Sequence, residues 1–135
     1  MTAGYSGTPL VKKLGLGEGD RVALVGAPDG FEALLEPLPP GVRLLSRATT
    51  ALDAILYFAT RRADVESRHR ALASRLTPAG MLWLAWPKRA SGVPTDITED
   101  VLREVILPSG MVDTKVCAID ETWSGLRFVR RRELR

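Results

Sequence analysis

The sequence predicts one α/β domain in three layers, with a mostly parallel sheet that ends in an antiparallel C-terminal hairpin. Short apolar runs alternate with segments of helical spacing as far as residue 107, which is typical of a parallel sheet with helices on both faces. The last two apolar runs follow each other around Asp120-Glu121 without a helix between them. The chain has 135 residues, of which 45% are hydrophobic, enough for one domain with a core.

The first part of the chain is rich in glycine. We interpret residues 1–20 as a lead-in segment with one turn of helix at Pro9 to Leu14. The apolar run from Arg21 to Gly26 predicts a buried first strand. Residues 27–30 predict a turn, and the apolar spacing from Phe31 to Leu38 predicts a helix that the following prolines end.

Two further strands are expected at Val42 to Leu45 and at Asp53 to Ala59. Only Ser46 to Leu52 join them, whereas a parallel crossover normally takes about a dozen residues or more. Two interpretations stay open: one helical turn suffices there, or one of the two strands is misplaced.

The clearest helix is predicted at residues 61–76, because Val65, His69, Leu72 and Leu76 fall on one stripe. A turn at Thr77 to Gly80 is expected to end it, before a fourth buried strand at Met81 to Trp86.

A loop at residues 87–95 precedes the last predicted helix. Asp96 and Glu99 have the spacing of a capping box, with Asp96 as N-cap of a helix that begins at Ile97 and reaches Leu107. Strands at 112–119 and 122–130 form the expected hairpin. The predicted organisation is therefore a lead-in at 1–20, a domain at 21–130 and a basic tail at 131–135.

Composition argues against several function classes. One Cys and one His are a poor set for a disulfide, a protein-built metal site or a Cys–His nucleophile, so we expect no metal and a cytoplasmic protein. The N-terminus lacks a signal-peptide pattern, and the longest uncharged run, Leu76 to Pro87, is too short to span a bilayer. We therefore expect no membrane association.

The net charge of +3 is unevenly distributed. The last nine residues carry five arginines and one glutamate, so the other 126 residues have a net charge near −1. The arginines between residues 61 and 75 lie on the polar side of the predicted helix, which is more typical of a solvated face than of a nucleic-acid-binding stripe. Nucleic acid is accordingly an unexpected partner.

The candidate ligand site lies where the predicted strands end. In open α/β sheets, ligands bind beyond the carboxyl ends of the strands. The turn after the first strand supplies the cofactor-binding candidates, which are Gly26, Ala27, Pro28, Asp29 and Gly30. The ends of the second and fourth strands supply the ligand-binding candidates, which are Arg47, Lys88, Arg89, Ser91 and Asp96.

Other chemically capable residues are interpreted as structural. Cys117 has no evident base and is expected to be a small buried thiol, and His69 is expected to pack within its helix. Trp123 either covers a pocket or packs the hairpin onto the core, and we favour the core. No catalytic residue is assigned.

Several segments resemble the class I methyltransferase variant of the Rossmann-like fold. They are the approach to the first strand at 16–22, the turn at 26–30 in place of GxGxG, and LTPAGML at 76–82. The resemblance implies a truncated methyltransferase-like fold and makes S-adenosylmethionine a possible cofactor. Pro28 stands at the middle glycine, Ser46-Arg47 replace the acidic ribose ligand, and Ala59 to Arg62 replace the substrate motif.

Motifs along nearly the whole chain also resemble a small bacterial domain-of-unknown-function family. They are SGTPL at 6–10, GAPDGF at 26–31, WPK at 86–88, SGVPTD at 91–96 and VCAIDETWSG at 116–125. This resemblance implies a cytoplasmic protein of similar length and supplies no activity.

Three hypotheses follow. The first is a degenerate methyltransferase-like protein that binds a small ligand or a protein partner without turnover. The second is an S-adenosylmethionine-dependent transferase for a small anionic substrate held by Lys88, Arg89 and Ser91. The third is a homo-oligomeric interaction module with a basic tail, since the terminal hairpin presents a strand edge.

Overall fold

A computed structural model describes residues 7–135. Its centre is one sheet of six strands in the order β2-β1-β3-β4-β6-β5. The strands are β1 (Arg21–Val25), β2 (Arg43–Leu45), β3 (Leu52–Phe58), β4 (Leu76–Pro87), β5 (Met111–Ala118) and β6 (Trp123–Arg130). The α-helices are α1 (Leu10–Lys13), α2 (Arg62–Ala73) and α3 (Glu99–Ile106), and short 3-10 helices lie at Phe31–Leu35, Arg89–Ser91, Leu107–Ser109 and Arg132–Leu134.

The strand pairing confirms the predicted three-layer α/β architecture. Strands β2, β1, β3 and β4 are parallel to one another, and β6 runs antiparallel to both β4 and β5. The C-terminal hairpin is therefore part of the main sheet, with β5 at its edge.

The first face of the sheet is covered by α1 and by the 3-10 helix Phe31–Leu35. Leu10, Leu14 and Leu16 are buried on this face, so the segment predicted as a lead-in contributes to the core. The indole Nε1 of Trp83 in β4 donates a hydrogen bond of 3.0 Å to the carbonyl of Leu14. Residues 1–6, including the Ser6 of the SGTPL motif, lie outside the described part of the chain.

The second face is covered by α2 and α3. Val65 and Leu72 of α2 and Leu102 and Ile106 of α3 are buried against this face of the sheet. The apolar stripe predicted for this helix is confirmed at Val65, His69 and Leu72, and His69 is only 4% exposed. The helix ends at Ala73 rather than at residue 76, and Leu76 is the first residue of β4. None of the helices formed by residues 7–135 is both long enough and apolar enough to cross a membrane.

Three other local predictions were wrong. The helix expected from Phe31 to Leu38 is a 3-10 helix that ends at Leu35, before the first of three prolines. The turn expected at Thr77 to Gly80 lies within β4, where Leu76 pairs with Leu52 and Met81 with Ala54. The intervening residues form an irregularity in the strand rather than its boundary.

The third error concerns the start of α3. Its N-cap is Thr98, whose hydroxyl accepts a hydrogen bond of 3.2 Å from the amide of Val101. Asp96 instead accepts a hydrogen bond of 2.7 Å from the amide of Arg62, the first residue of α2. Asp96 therefore stabilises the N-terminus of a different helix from the one predicted.

The short connection between β2 and β3 has a simple geometric explanation. Leu45, the last residue of β2, lies level with Ala23 and Ile55, so β2 ends near the middle of the sheet. Reaching Leu52 requires a path of about 14 Å across β1, because strands are about 4.8 Å apart and rise about 3.3 Å per residue. Residues 46–51 span that path without any helix, and both predicted strands exist.

Candidate functional site

The candidate site lies at the carboxyl ends of β1, β2 and β3. The 3-10 helix after β1 packs on the first face of the sheet, whereas α2 after β3 packs on the second face. Chains that leave neighbouring strands toward opposite faces create a crevice between them, where open α/β sheets bind ligands. The structure therefore places the predicted turn at the topologically favoured position.

Gly26 is required at this position by both its conformation and its surroundings. Its φ is +71°, and a Cβ atom built on it would lie 2.9 Å from the carbonyl oxygen of Phe58 at the end of β3. The close approach of the turn to β3 thus depends on the absence of a side chain.

The first cavity at this edge, which we call the β1-turn cavity, has a volume of about 480 Å³. All five predicted cofactor-binding residues, Gly26 to Gly30, line it. It is also lined by Leu24, by Glu32 and by the end of β2, Leu44 to Ser46. Its size is typical of small-molecule sites.

The electrostatics of the β1-turn cavity disfavour a phosphate. Asp29 and Glu32 are its charged lining residues within the described part of the chain, and Pro28 lacks an amide proton. The amide of Phe31 donates to the carbonyl of Pro28, and that of Ala33 donates to the carbonyl of Gly30. These two amides at the start of the five-residue 3-10 helix are therefore not free to bind a phosphate.

A second cavity, which we call the crossover cavity, lies between the β2–β3 connection and α2, with a volume of about 380 Å³. Arg47 lines this cavity and not the β1-turn cavity. Its polar lining comes from Ser46 and Arg47 of the connection and from Ser67, Arg68 and Arg75 on or just after α2. Ser46 lines both cavities.

The loop after β4 forms a third cavity of about 340 Å³, which Arg89 lines together with Trp86, Thr95, Thr98 and Glu99. Strands β2 and β4 are three strand spacings apart, about 14 Å. The structure therefore separates Arg47 from Arg89 instead of bringing them into one site.

Two other candidates in this loop already have intramolecular partners. The hydroxyl of Ser91 donates to the carbonyl of Lys88 at 2.6 Å and accepts from the amide of Val93 at 3.2 Å. The carboxylate of Asp96 accepts from the amide of Arg62. Lys88 remains half-buried, and its amide donates to the carbonyl of Thr122 at 2.7 Å.

Aromatic rings fill the end of β3 on the first face. Phe58 lies between Phe31, with ring centroids 4.8 Å apart, and Trp123, with centroids 5.1 Å apart, and both pairs are edge-to-face. The expected packing of Trp123 against the core is confirmed. The central ring belongs to the last residue of β3, directly before Ala59 to Arg62, where the sequence departs from the methyltransferase substrate motif.

Cys117 and His69, the side chains that could act as a nucleophile or a base, do not line any of these three cavities. Cys117 is buried in the core of the first face, and desolvation raises the pKa of its thiol, against the lowering effects of Lys13, Lys115 and Arg127. His69 is buried in α2, with Nδ1 2.8 Å from the carbonyl of Val65. Within residues 7–135, no three His, Cys, Asp or Glu side chains are grouped so that they could hold a metal ion.

Sequence reasoning missed Glu32, Ser46, Arg68 and Arg75 as cavity-lining residues. The sequence analysis placed both arginines on the polar side of the predicted helix, although α2 ends at Ala73 and Arg75 lies just beyond it. Assigning that face to a cavity required knowing that the β2–β3 connection contains no covering helix.

Comparisons of the whole fold identify similar solved structures. TrmN from Thermus thermophilus superimposes with a TM-score of 0.59 at 14% identity, covering 90% of this chain and 47% of that chain. Fibrillarin from Aeropyrum pernix, solved with natively bound S-adenosyl-L-methionine, has a TM-score of 0.62 at 14% identity, with 93% and 70% covered. A SAM-dependent methyltransferase from Aquifex aeolicus has a TM-score of 0.60 at 16% identity, with 88% and 86% covered.

No protein-family model and no curated protein sequence matches the chain. The resemblance to a small bacterial domain-of-unknown-function family thus stays a prediction, as does the cytoplasmic location.

The residues of the β1-turn cavity suit some of the chemistry of S-adenosylmethionine. That molecule has ribose hydroxyls and a sulfonium cation but no phosphoryl group, and Asp29 and Glu32 can accept hydrogen bonds and balance positive charge. Ser46 lies at the position where the methyltransferase pattern has an acidic ribose ligand. In the described lining, the carboxylates that could hold ribose hydroxyls are therefore those of Asp29 and Glu32.

The identities of these similar solved structures to this chain, 14% to 16%, support the fold alone. This chain spans about half of the TrmN structure and most of the Aquifex aeolicus one. The chain has a truncated, Rossmann-like methyltransferase fold.

Proposed function

We propose that this chain binds a small nucleoside-like ligand, uncharged or cationic, in the β1-turn cavity, and that it does so without turnover. The observation that carries the proposal is the charge of that cavity: its described lining combines the two carboxylates of Asp29 and Glu32 with no basic side chain. A ligand rich in hydroxyl groups or bearing a positive charge is complementary to this lining, and a phosphorylated one is not.

The fold supports the nucleoside-like part of the proposal. Two of the similar structures, fibrillarin and the magnesium protoporphyrin IX methyltransferase from Synechocystis, were solved with bound S-adenosylmethionine. A cavity of about 480 Å³ at the carboxyl end of β1 is large enough for a ligand of that class.

The absence of turnover is supported by the placement of reactive groups. Cys117 and His69 are buried away from the described lining of the cavity, and its only ionisable lining groups are the two carboxylates. Phe58, packed between Phe31 and Trp123, fills the end of β3 with apolar rings. The lining therefore offers recognition groups, and its described groups that could act as a base are limited to two exposed carboxylates.

Isothermal titration with S-adenosylmethionine and with adenosine tests the proposal. We expect both to bind, and we expect the double variant Asp29→Asn/Glu32→Gln to weaken the cationic S-adenosylmethionine by roughly tenfold and neutral adenosine by less than about threefold. Glu18→Gln, an exposed carboxylate outside the cavity lining, is the matched control.

Two outcomes would contradict the proposal. The first is that neither compound binds at millimolar concentration, which would rule out a nucleoside-like ligand. The second is turnover: chromatography would show S-adenosylmethionine converted to S-adenosylhomocysteine in the presence of candidate small anionic acceptors. That result would favour the transferase hypothesis over binding without turnover.

A further inference from the structure

The crossover cavity exists because the β2–β3 connection is short. A helical crossover would cover the second face of the sheet beside α2, but residues 46–51 form no helix. Val25 and Leu72 contribute apolar surface to the space that remains, and the connection and α2 form its walls. The cavity is thus a place where the helical layer is missing, and not a space enclosed by a surface loop alone.

The charge of this cavity is concentrated and positive. Arg47, Arg68 and Arg75 line it from separate points of the chain, and none of its described lining residues is acidic. Within the described part of the chain, none of the three forms a salt bridge. Three guanidinium groups around one cavity repel one another, and a bound anion would relieve that repulsion.

Other arginines of the molecule are engaged differently. Arg62 pairs with Glu66 and Glu104, both at 3.0 Å. Arg130 donates to the carbonyls of Ala73 and Thr77, both at 2.7 Å. The arginines of the crossover cavity are therefore not explained by the same intramolecular roles.

Arg68 lines the crossover cavity and also lies against Tyr57 of β3. Its guanidinium carbon lies 5.4 Å from the centroid of the Tyr57 ring in β3. Stacking of a guanidinium on an aromatic ring leaves the N–H groups free at its edges, where they can bind phosphate oxygens in a bidentate manner. Burial raises the pKa of the Tyr57 hydroxyl, against the lowering effects of the charge of Arg68 and of a side-chain hydrogen bond between the two residues.

We propose that the crossover cavity is a binding site for a small polyanion that carries two or more phosphoryl groups. The three arginines supply charge and paired donors, and the hydroxyls of Ser46 and Ser67 supply neutral donors in the same lining. A concave site of about 380 Å³ matches a small molecule, whereas a nucleic-acid backbone requires an extended basic stripe. This site is separate from the β1-turn cavity, apart from the shared Ser46.

Isothermal titration with inorganic tripolyphosphate tests this site without any nucleoside. We expect binding that weakens with added salt and that Arg47→Ala, Arg68→Ala or Arg75→Ala each weakens by roughly tenfold. Arg70→Ala is the matched control, since Arg70 is an exposed arginine of the same helix that lines a different cavity, and we expect a change below about twofold. All four substitutions replace exposed side chains, and circular dichroism checks that each variant is folded.

Three outcomes would overturn the proposal: no binding of tripolyphosphate at low salt, an equal loss in Arg70→Ala, or tighter binding of a single-stranded RNA oligonucleotide than of tripolyphosphate. Adenosine binding separates this site from the proposed function. It should be unchanged in Arg68→Ala and Arg75→Ala, so either proposal can fail while the other holds.

Discussion

The two cavities on either side of the end of β2 have opposite charge. The β1-turn cavity, toward the 3-10 helix, is lined by Asp29 and Glu32, and the crossover cavity, toward α2, is lined by Arg47, Arg68 and Arg75. Ser46 lines both. The comparison teaches that a nearly neutral domain can offer two distinct electrostatic environments at one sheet edge, so its net charge says little about what it binds.

The two sides also differ in how the sheet is covered. On the first face, short elements are supplemented by the aromatic rings of Phe31, Phe58 and Trp123, which fill the space at the end of β3. On the second face, two regular helices leave a gap beside the β2–β3 connection. The cover of the first face thus depends on the packing of aromatic side chains, and the cover of the second face depends on where α2 and α3 are anchored.

The largest effect is expected from removing the central ring of the first face. Phe58→Ala should lower the free energy of unfolding by about 3–5 kcal/mol, because Phe58 is 5% exposed and contacts rings on both sides. Chemical denaturation measures the loss. Leu34→Ala, which truncates an exposed side chain of the neighbouring 3-10 helix, should change stability by less than about 0.5 kcal/mol. A loss below about 1 kcal/mol in Phe58→Ala would show that the rings do not support this face.

A smaller but more specific effect is expected in the turn. Gly26→Ala should lower the free energy of unfolding by about 3 kcal/mol, since it combines a positive φ with a contact of 2.9 Å to the carbonyl of Phe58. Gly30→Ala has a similar φ of +78° but no atom within 4 Å of the added carbon, so it should cost about 1 kcal/mol. Equal losses in the two variants, measured by urea titration, would mean that the close approach to β3 contributes nothing.

The smallest effect is expected on the second face, at the start of α2. Asp96→Ala removes the acceptor of the Arg62 amide and should lower stability by about 1 kcal/mol. Asp100→Ala removes a more exposed carboxylate, whose contact is a surface pair with Arg103, and should stay within about 0.5 kcal/mol. The difference between the two variants in thermal unfolding measures how firmly α2, one wall of the crossover cavity, is anchored. A smaller loss in Asp96→Ala than in Asp100→Ala would contradict this role.

Most of the sheet could be predicted because its strands are short apolar runs whose burial leaves few alternatives. The start of α3 could not be predicted, because Asp96 and Thr98 are both good N-cap residues. The choice between them depends on the amide of Arg62, 34 residues away, which takes the Asp96 carboxylate. Local helix propensity carries no information about such a contact between residues far apart in the sequence.

The candidate site shows the same limit. The turn at Gly26 to Gly30 was predictable, because a glycine-bounded turn after a buried strand marks the carboxyl edge of the sheet. The grouping of Arg47 with Arg68 and Arg75 was not, because it depends on a connection whose path is set by the length of β2. The sequence placed Arg68 and Arg75 on the polar side of a predicted helix but did not show what lies opposite them.

The three-residue length of β2 also determines where this chain can tolerate extra residues. The strand registers fix the positions of Leu45 and Leu52, so an insertion between them is confined to the second face, beside α2. A helix-length insertion there would pack on Val25 and Leu72 and fill the crossover cavity, leaving the six strands in place. Among homologous chains, variation in the length of this one connection would therefore separate those that keep the arginine-lined cavity from those that have replaced it with core.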